Sequence, residues 1–489
     1  MMERLTTGVA GLDTVLGGGV PLGASLFVGG SPGTGKTLLT EQILFHQAAQ
    51  GRRSLFLTTL SEPHEKLIRH AEGFAWFDRR WLGDTIELLS LYPTVEEQGL
   101  SGALEQLLQA VRSRRAQLVV IDGFRGLRAM AGDDLVVRRF IFDLVAKLNL
   151  LGVTCIFNGE YGRAEIDHYP EFTIADGIVW LRNDLAGMKH ERWLEVVKLR
   201  GGEYLGGRHR FAITPQGIEV YPRLASLVGS IDYEPGTERL QLGTPGLDTM
   251  LEGGVLGSSV TLLLGTPGTG KTLVAMQFLA EGVQQGEPGL FVSFHESPSH
   301  LRYRARSFDL TGGESFIDGS VRILYASAAE LNAEAVATQI CAAIEAHRIR
   351  RVVIDSVANL EATLDPTQLG DYLVALTMYL RSRDVATLLL KEIPELAGAP
   401  LTLAGLIVSV TADNILLLRH VELDGRLERI ISVVKLRDSD FDASVRRYTI
   451  GINGLTVGDP LHGVEGALTG MARLRSGETV QERPVASAA

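Results

Sequence analysis

The chain has 489 residues, 45% of them hydrophobic and 21% charged, with a formal net charge of −11. That length exceeds what one hydrophobic core usually serves, so two domains are expected. The acidic balance disfavours nonspecific binding to nucleic acid or to an anionic membrane, two cysteines cannot build a disulfide framework, and no Cys/His spacing suits zinc.

The opening run Met1–Asp13 has no apolar signal-peptide core, and Cys155 and Cys341 sit in apolar surroundings as small core residues, so a reducing cytoplasm is expected. The string Gly8-Val-Ala-Gly-Leu-Asp13 leads into a short apolar strand, Ser25–Gly29. There follows Gly30-Ser31-Pro32-Gly33-Thr34-Gly35-Lys36-Thr37, which matches G-x-x-x-x-G-K-[ST] between a strand and a helix, the context a phosphate-binding P-loop needs. Glycines let the backbone approach phosphates and turn its N–H groups toward them, and the helix N-terminus adds partial positive charge. Lys36 is expected at the β- and γ-phosphates of ATP and Thr37 on Mg²⁺.

Helical spacing from Thr37 ends at Gly51, and a second strand, Ser54–Thr58, runs into Leu60-Ser61-Glu62. Glu62 is the candidate general base for water; the bland alternative is an acid that complements a helix dipole. Leu104–Arg114 and Leu135–Leu150 read as helices, Leu118–Ile121 and Val153–Phe157 as strands. Asp122 ends its strand as a Walker B acid must to hold Mg²⁺. The part from Glu191 to Val220 reads as hairpins extending the sheet and contains Lys198-Leu-Arg200. A strand-end lysine and arginine serve a γ-phosphate, within the subunit or across an interface, or else are charges that guard a sheet edge.

After a linker between Arg223 and Leu240 the pattern repeats. Gly243–Asp248 echoes Gly8–Asp13, Asp355 echoes Asp122, and Val434-Lys-Leu-Arg437 echoes Val197-Lys-Leu-Arg200. The second P-loop is Gly265-Thr266-Pro267-Gly268-Thr269-Gly270-Lys271-Thr272. The four offsets are 235, 235, 233 and 237 residues, which makes a duplicated domain. Thr272 and Asp355 are the second Mg²⁺ pair, and Glu296 in Phe294-His295-Glu296 is the second candidate base. Residues 1–228 and 229–457 are the expected domains, with 458–489 a flexible tail. Leu401–Leu418 is apolar but interrupted by Thr402, Ser409, Thr411, Asp413 and Asn414, so it reads as buried structure and not a membrane span. Short apolar strands separated by helices predict an α/β fold with a mostly parallel sheet in each copy.

The tandem P-loops, the G-x-x-G-L-D entry and the paired K-L-R strings together resemble the KaiC family, circadian-clock ATPases and autokinases of the RecA-like superfamily. The resemblance covers about residues 3–457 and is close from Glu171–Asp176 through Lys198–Gly201. It implies two RecA-like domains per chain, a hexamer with ATP at subunit interfaces, regulatory protein partners, and contacts from Lys198, Arg200, Lys435 and Arg437 to a neighbouring subunit's nucleotide. The family pairs two glutamates after the strand; here the first position is Ser61 in one copy and His295 in the other. Hydrolysis then rests on Glu62 and Glu296, or on His295 as base, since imidazole titrates near neutrality. At the family's phosphorylated pair this chain has Ser409 and Val410, with Thr411 alongside, leaving Ser409 as the candidate autokinase site or a hydroxyl satisfied within the fold. Two other functions fit the motifs: a DNA-acting recombinase or helicase, which the acidic charge disfavours, and a nucleotide-gated scaffold with little turnover.

Overall fold

The computed structural model describes residues 3–59, 64–229, 233–234, 236–310, 312–393, 407–423, 425–462, 464–466 and 473–474. Its contacts separate into two compact units, Met1–Leu227 and Val228–Ala489. Each unit is built on one nine-stranded sheet.

In the first unit the strand order runs Gly217–Tyr221, Arg208–Thr214, Lys189–Leu199, Gly177–Ala186, Ser25–Gly30, Thr154–Glu160, Leu118–Asp122, Ser54–Thr58, Ile86–Ser90. From Gly177–Ala186 to Ile86–Ser90 every neighbouring pair is parallel. The remaining strands join by antiparallel hairpins, as the hairpin reading of Glu191–Val220 expects. Parallel strands carry helices on both faces and so read as continuous apolar runs. Their alternation divides the core in two. Phe27, Val119 and Ile121 pack toward Leu107 and Leu144, whereas Leu26, Val28 and Val120 pack toward Leu39 and Ile43 of the helix Lys36–Ala49.

The second unit repeats this order. Its P-loop strand, Val260–Gly265, lies between Ala386–Glu392 and Asn414–Leu423, with Arg351–Asp355, Gly289–Ser293 and Val321–Tyr325 beyond. These are two tandem α/β domains of the RecA-like kind.

Three expectations need adjustment. The helix expected over Leu104–Arg114 is the second of two helical stretches within Tyr92–Arg114, which meet at a kink where Gly99 takes a non-helical φ of 67°. The sheet runs into the expected tail: the strand Gly454–Pro460 pairs with Arg446–Gly451, and Val464–Glu465 pairs with Arg473–Leu474. Cys155 is buried but Cys341 is only half-buried on its helix. Residues 401–406 of the apolar run Leu401–Leu418 lie outside the described residues, while Asn414–Leu418 is buried strand. Among the described residues no helix is long and apolar enough to cross a membrane.

Candidate functional site

In an open parallel sheet, ligands bind where the strands end at their carboxyl side. The P-loop strand Ser25–Gly30 is buried throughout and delivers the glycine loop to that edge. Gly35 caps the following helix at φ 98° in the left-handed region, which turns the chain so that the helix N-terminus faces the loop. At Gly30 a Cβ would stand 2.3 Å from the Leu181 carbonyl oxygen, so only glycine passes. A cavity of about 630 Å³ opens here, bordered by Lys36, Thr37, Asp122, Arg125, Asn158 and Glu160.

Within it the expected residues meet. Thr37 Oγ1 donates to Asp122, 3.3 Å from both carboxylate oxygens. Lys36 Nζ lies over the loop and donates to the Ser31 carbonyl at 2.8 Å, while Thr34 Oγ1 donates to the same oxygen at 2.9 Å. Burial pushes the Asp122 carboxyl up to about 6 against hydrogen bonds from Asn158 and Thr37 and the charge of Lys36. Burial also pulls the Lys36 ammonium down, opposed by Glu160 and Asp122. The second copy has the same arrangement. Thr272 Oγ1 donates to Asp355 Oδ2 at 2.9 Å, and Lys271 Nζ donates to the Gly265 and Thr266 carbonyls at 2.8 and 2.9 Å. Burial again raises Asp355 and lowers Lys271.

Two strand–loop–helix units, each with a lysine over the loop and a hydroxyl–carboxylate pair beneath it, define the class of protein. The family model for the KaiC ATPase matches residues 5–225 and again 240–462. The chain belongs to the KaiC family of ATPases. It is 31% identical to the circadian clock oscillator protein KaiC of Rippkaea orientalis over 481 residues, covering 96% of this chain and 91% of that one. It is 30% identical to the circadian clock protein KaiC3 of Synechocystis over 484 residues, covering 96% and 94%.

The other expected residues of this KaiC-family chain fall at three places. Glu62 and Ser61 lie outside the described residues. Glu296 follows the strand Gly289–Ser293, its backbone held by Ser293, whose Oγ donates to the Glu296 carbonyl at 2.8 Å. Its side chain faces the helix Pro298–Ser307, where Arg304 Nη2 stands 2.9 Å from Oε1 and His300 Nδ1 3.6 Å from Oε2. Its charge still helps to raise Asp355.

Lys198, Arg200, Lys435 and Arg437 are at the opposite edge. Lys198 and Leu199 pair with Ile178 and Gly177, and Gly177 is level with Leu26 at the start of the P-loop strand. That strand spans about 20 Å, so these cations cannot reach the P-loop of their own domain. Lys198 Nζ donates to the Thr173 and Ala175 carbonyls at 3.0 and 2.5 Å, and Lys435 Nζ to the Ala412 carbonyl at 2.6 Å. Arg200 stands 3.9 Å from Asp176, and Arg437 3.0 Å from Asp413. Ser409 is half-buried on the short helix Ile407–Thr411. That helix leads into Asn414, level with Thr261, so Ser409 shares this edge with Lys435.

Several site residues escaped the sequence reading. Arg192 Nη1 donates to the Gly33 carbonyl of the P-loop at 3.2 Å. It stands six residues before Lys198, as Arg429 stands six before Lys435, so the repeat itself carried the signal. In the second copy Tyr448 Oη donates to the Thr269 carbonyl at 2.6 Å, and His420 Nδ1 lies 3.3 Å from Thr266 Oγ1. Burial and then the charges of Arg429 and Lys271 lower that imidazole. Glu41, buried one turn along the helix from Thr37, had no sequence signal; burial and then the Asp122 charge push its carboxyl up to about 8.

Hydroxyl and carboxylate oxygens alone suit Mg²⁺ and not a softer metal. Among the described residues no group of three or more His, Cys, Asp or Glu is placed to hold an ion by itself.

Proposed function

We propose that both domains bind Mg-ATP and hydrolyse it, and that the bound nucleotide assembles the chain into a hexamer with signalling or timing duties. The observation that carries this is the duplicated set of Lys36, Thr37 and Asp122 against Lys271, Thr272 and Asp355, each at the carboxyl edge of its sheet. Phosphates would supply the oxygens that Thr37–Asp122 and Thr272–Asp355 leave to be filled around Mg²⁺, which when bound neutralises the charge developing on the γ-phosphoryl group. Loop amides and Lys36 or Lys271 orient the triphosphate. Glu62 and Glu296 are the proton-accepting candidates for the attacking water.

The far-edge cations support assembly. Lys198, Arg200, Lys435 and Arg437 lie on the wrong side of their own sheets for their own P-loops, and a neighbour's nucleotide is the phosphate they can meet. Ser409 stands on the same edge, so phosphoryl transfer to it would come from a neighbouring chain's second site. The engagement of Glu296 by Arg304 supports slow turnover in the second domain.

The test is release of phosphate from γ-labelled ATP. Lys36→Ala and Lys271→Ala should each remove one class of nucleotide site, with affinity falling at least a hundredfold, and the double variant should neither bind nor hydrolyse. Retained binding in the double variant would overturn the reading. Label on Ser409 in the same reaction, absent from Lys271→Ala, supports autokinase activity; no label removes it.

A further inference from the structure

The second site carries a hydrogen-bond chain that the first cannot make. Asn359 lies four residues after Asp355, on the helix Val357–Thr363. Ser356 Oγ stands 3.4 Å from Asn359 Oδ1 and donates to it. This leaves the Asn359 amide nitrogen facing His295, with Nδ2 2.9 Å from the ring Nε2. With the Asn359 amide nitrogen toward the ring, Nε2 accepts, and the ring that suits this contact is the tautomer with its proton on Nδ1. A histidine fixed in this tautomer offers a donor with its remaining nitrogen.

The pair borders the nucleotide site. His295 follows Ser293 by two residues, and Ser293 is level with Asp355. Phe294 N donates to the Asp355 carbonyl at 3.1 Å. The counterpart of Asn359 in the first domain is Gly126, which lines the cavity there beside Lys36 and Asp122. Gly126 has no side chain with which to orient anything. The adjacent carboxylate, Glu296, is already taken up by Arg304.

Resting on the P-loop reading of the second domain, we propose that His295, oriented by Asn359, donates a hydrogen bond from Nδ1 to the terminal phosphate of the nucleotide there. It thereby makes the second site favour a triphosphate over a diphosphate. His295 is then a phosphate-contacting residue and not the base that its place in the sequence suggested. Asn359 is its positioning residue.

The experiment uses the full chain carrying Lys36→Ala, so that only the second P-loop takes nucleotide. ADP and a non-hydrolysable β,γ-imido ATP analogue are titrated separately. His295→Ala should weaken the triphosphate about tenfold, the loss expected for a hydrogen bond to a charged acceptor, and leave ADP within about twofold. His295→Gln, which keeps an N–H donor but cannot act as a base, should recover most of the loss. Asn359→Leu should give a smaller loss of the same kind, with ADP affinity intact. Equal weakening of both nucleotides would reduce the pair to a structural contact. Unchanged triphosphate affinity with slowed hydrolysis that Gln does not rescue would make His295 a proton acceptor, and either result overturns the proposal. Absence of all nucleotide binding to the Lys36→Ala chain would instead remove the second P-loop reading and the proposal with it.

Discussion

Behind the first P-loop stands a polar layer of Thr40, Glu41 and Asn158; at the corresponding positions the second domain has Ala275, Met276 and Leu390. Asn158 Oδ1 accepts from Gly123 N at 3.1 Å and its Nδ2 donates to Thr40 Oγ1 at 3.1 Å, tying the strand end at Asp122 to the P-loop helix. In the second domain apolar packing fills that space, and among the described residues Thr272 is the side chain that donates to the Asp355 carboxylate. The same phosphate-binding loop can therefore be backed by hydrogen bonds or by aliphatic contact. The polar backing has a cost, because Glu41 enters the protein interior beside a second carboxylate.

The ion pairs beneath the two sites differ in the same sense and with the polarity reversed. In the first domain Arg128 grips the buried Glu171 with two bonds of 3.0 Å, Tyr161 Oη adds a third at 2.7 Å, and the guanidinium lies 3.9 Å from the centre of the Tyr169 ring. In the second domain Glu361 takes the place of Arg128 and pairs with Lys391. Glu171 is 2% exposed, whereas the Glu361 side chain is 30% exposed.

Three substitutions sharpen this contrast. Arg128→Ala should have the largest effect, about 3 kcal/mol, because it strands a buried carboxylate. All four tryptophans, Trp76, Trp81, Trp180 and Trp193, lie in the first domain, so a denaturant titration followed by tryptophan fluorescence reads it alone. A midpoint like that of the unsubstituted chain would mean that Glu171 is held by Tyr161 alone.

Glu41→Gln should come next, with the opposite sign. The native carboxyl titrates at about 8 against an ordinary 4.5, so above pH 4.5 the unfolded chain binds fewer protons than the native one. Stability of the nucleotide-free first domain should therefore fall as pH rises from about 4.5 to about 8. Glu41→Gln should flatten that fall and add on the order of 2 kcal/mol at pH 9. Parallel pH profiles for the two chains would contradict the burial of Glu41. The smallest effect is expected from Lys391→Ala, about 1 kcal/mol by calorimetry, because water screens the partly exposed Glu361.

Much of this was legible in the sequence. The strands were continuous apolar runs and the offset between copies repeated every motif, so the fold could be read directly, and the P-loop pattern singled out Lys36 and Thr37, which the fold brings together with Asp122. What could not be read depends on distance through space. The K-L-R strings left open whether they served their own site; register with Gly177 puts them at the far edge. Glu296 looked free to act on water, but Arg304, eight residues along the chain, claims its side chain. His295 suggested a base, and its contact with Asn359, four residues beyond Asp355, could not be seen in the sequence. The short helical stretch from Tyr92, set apart from the next by the kink at Gly99, also went unread.

The central claim is that nucleotide joins neighbouring chains through cations that cannot serve their own domain. Mass measurement of the 53.0 kDa chain with and without Mg-ATP tests it most directly. With Mg-ATP the particle should have six times the mass of one chain and should dissociate when nucleotide is removed, and a Lys435→Ala, Arg437→Ala chain should stay small under saturating ATP. A chain that remains single in Mg-ATP, or a doubly substituted chain that assembles like the unsubstituted one, would contradict it.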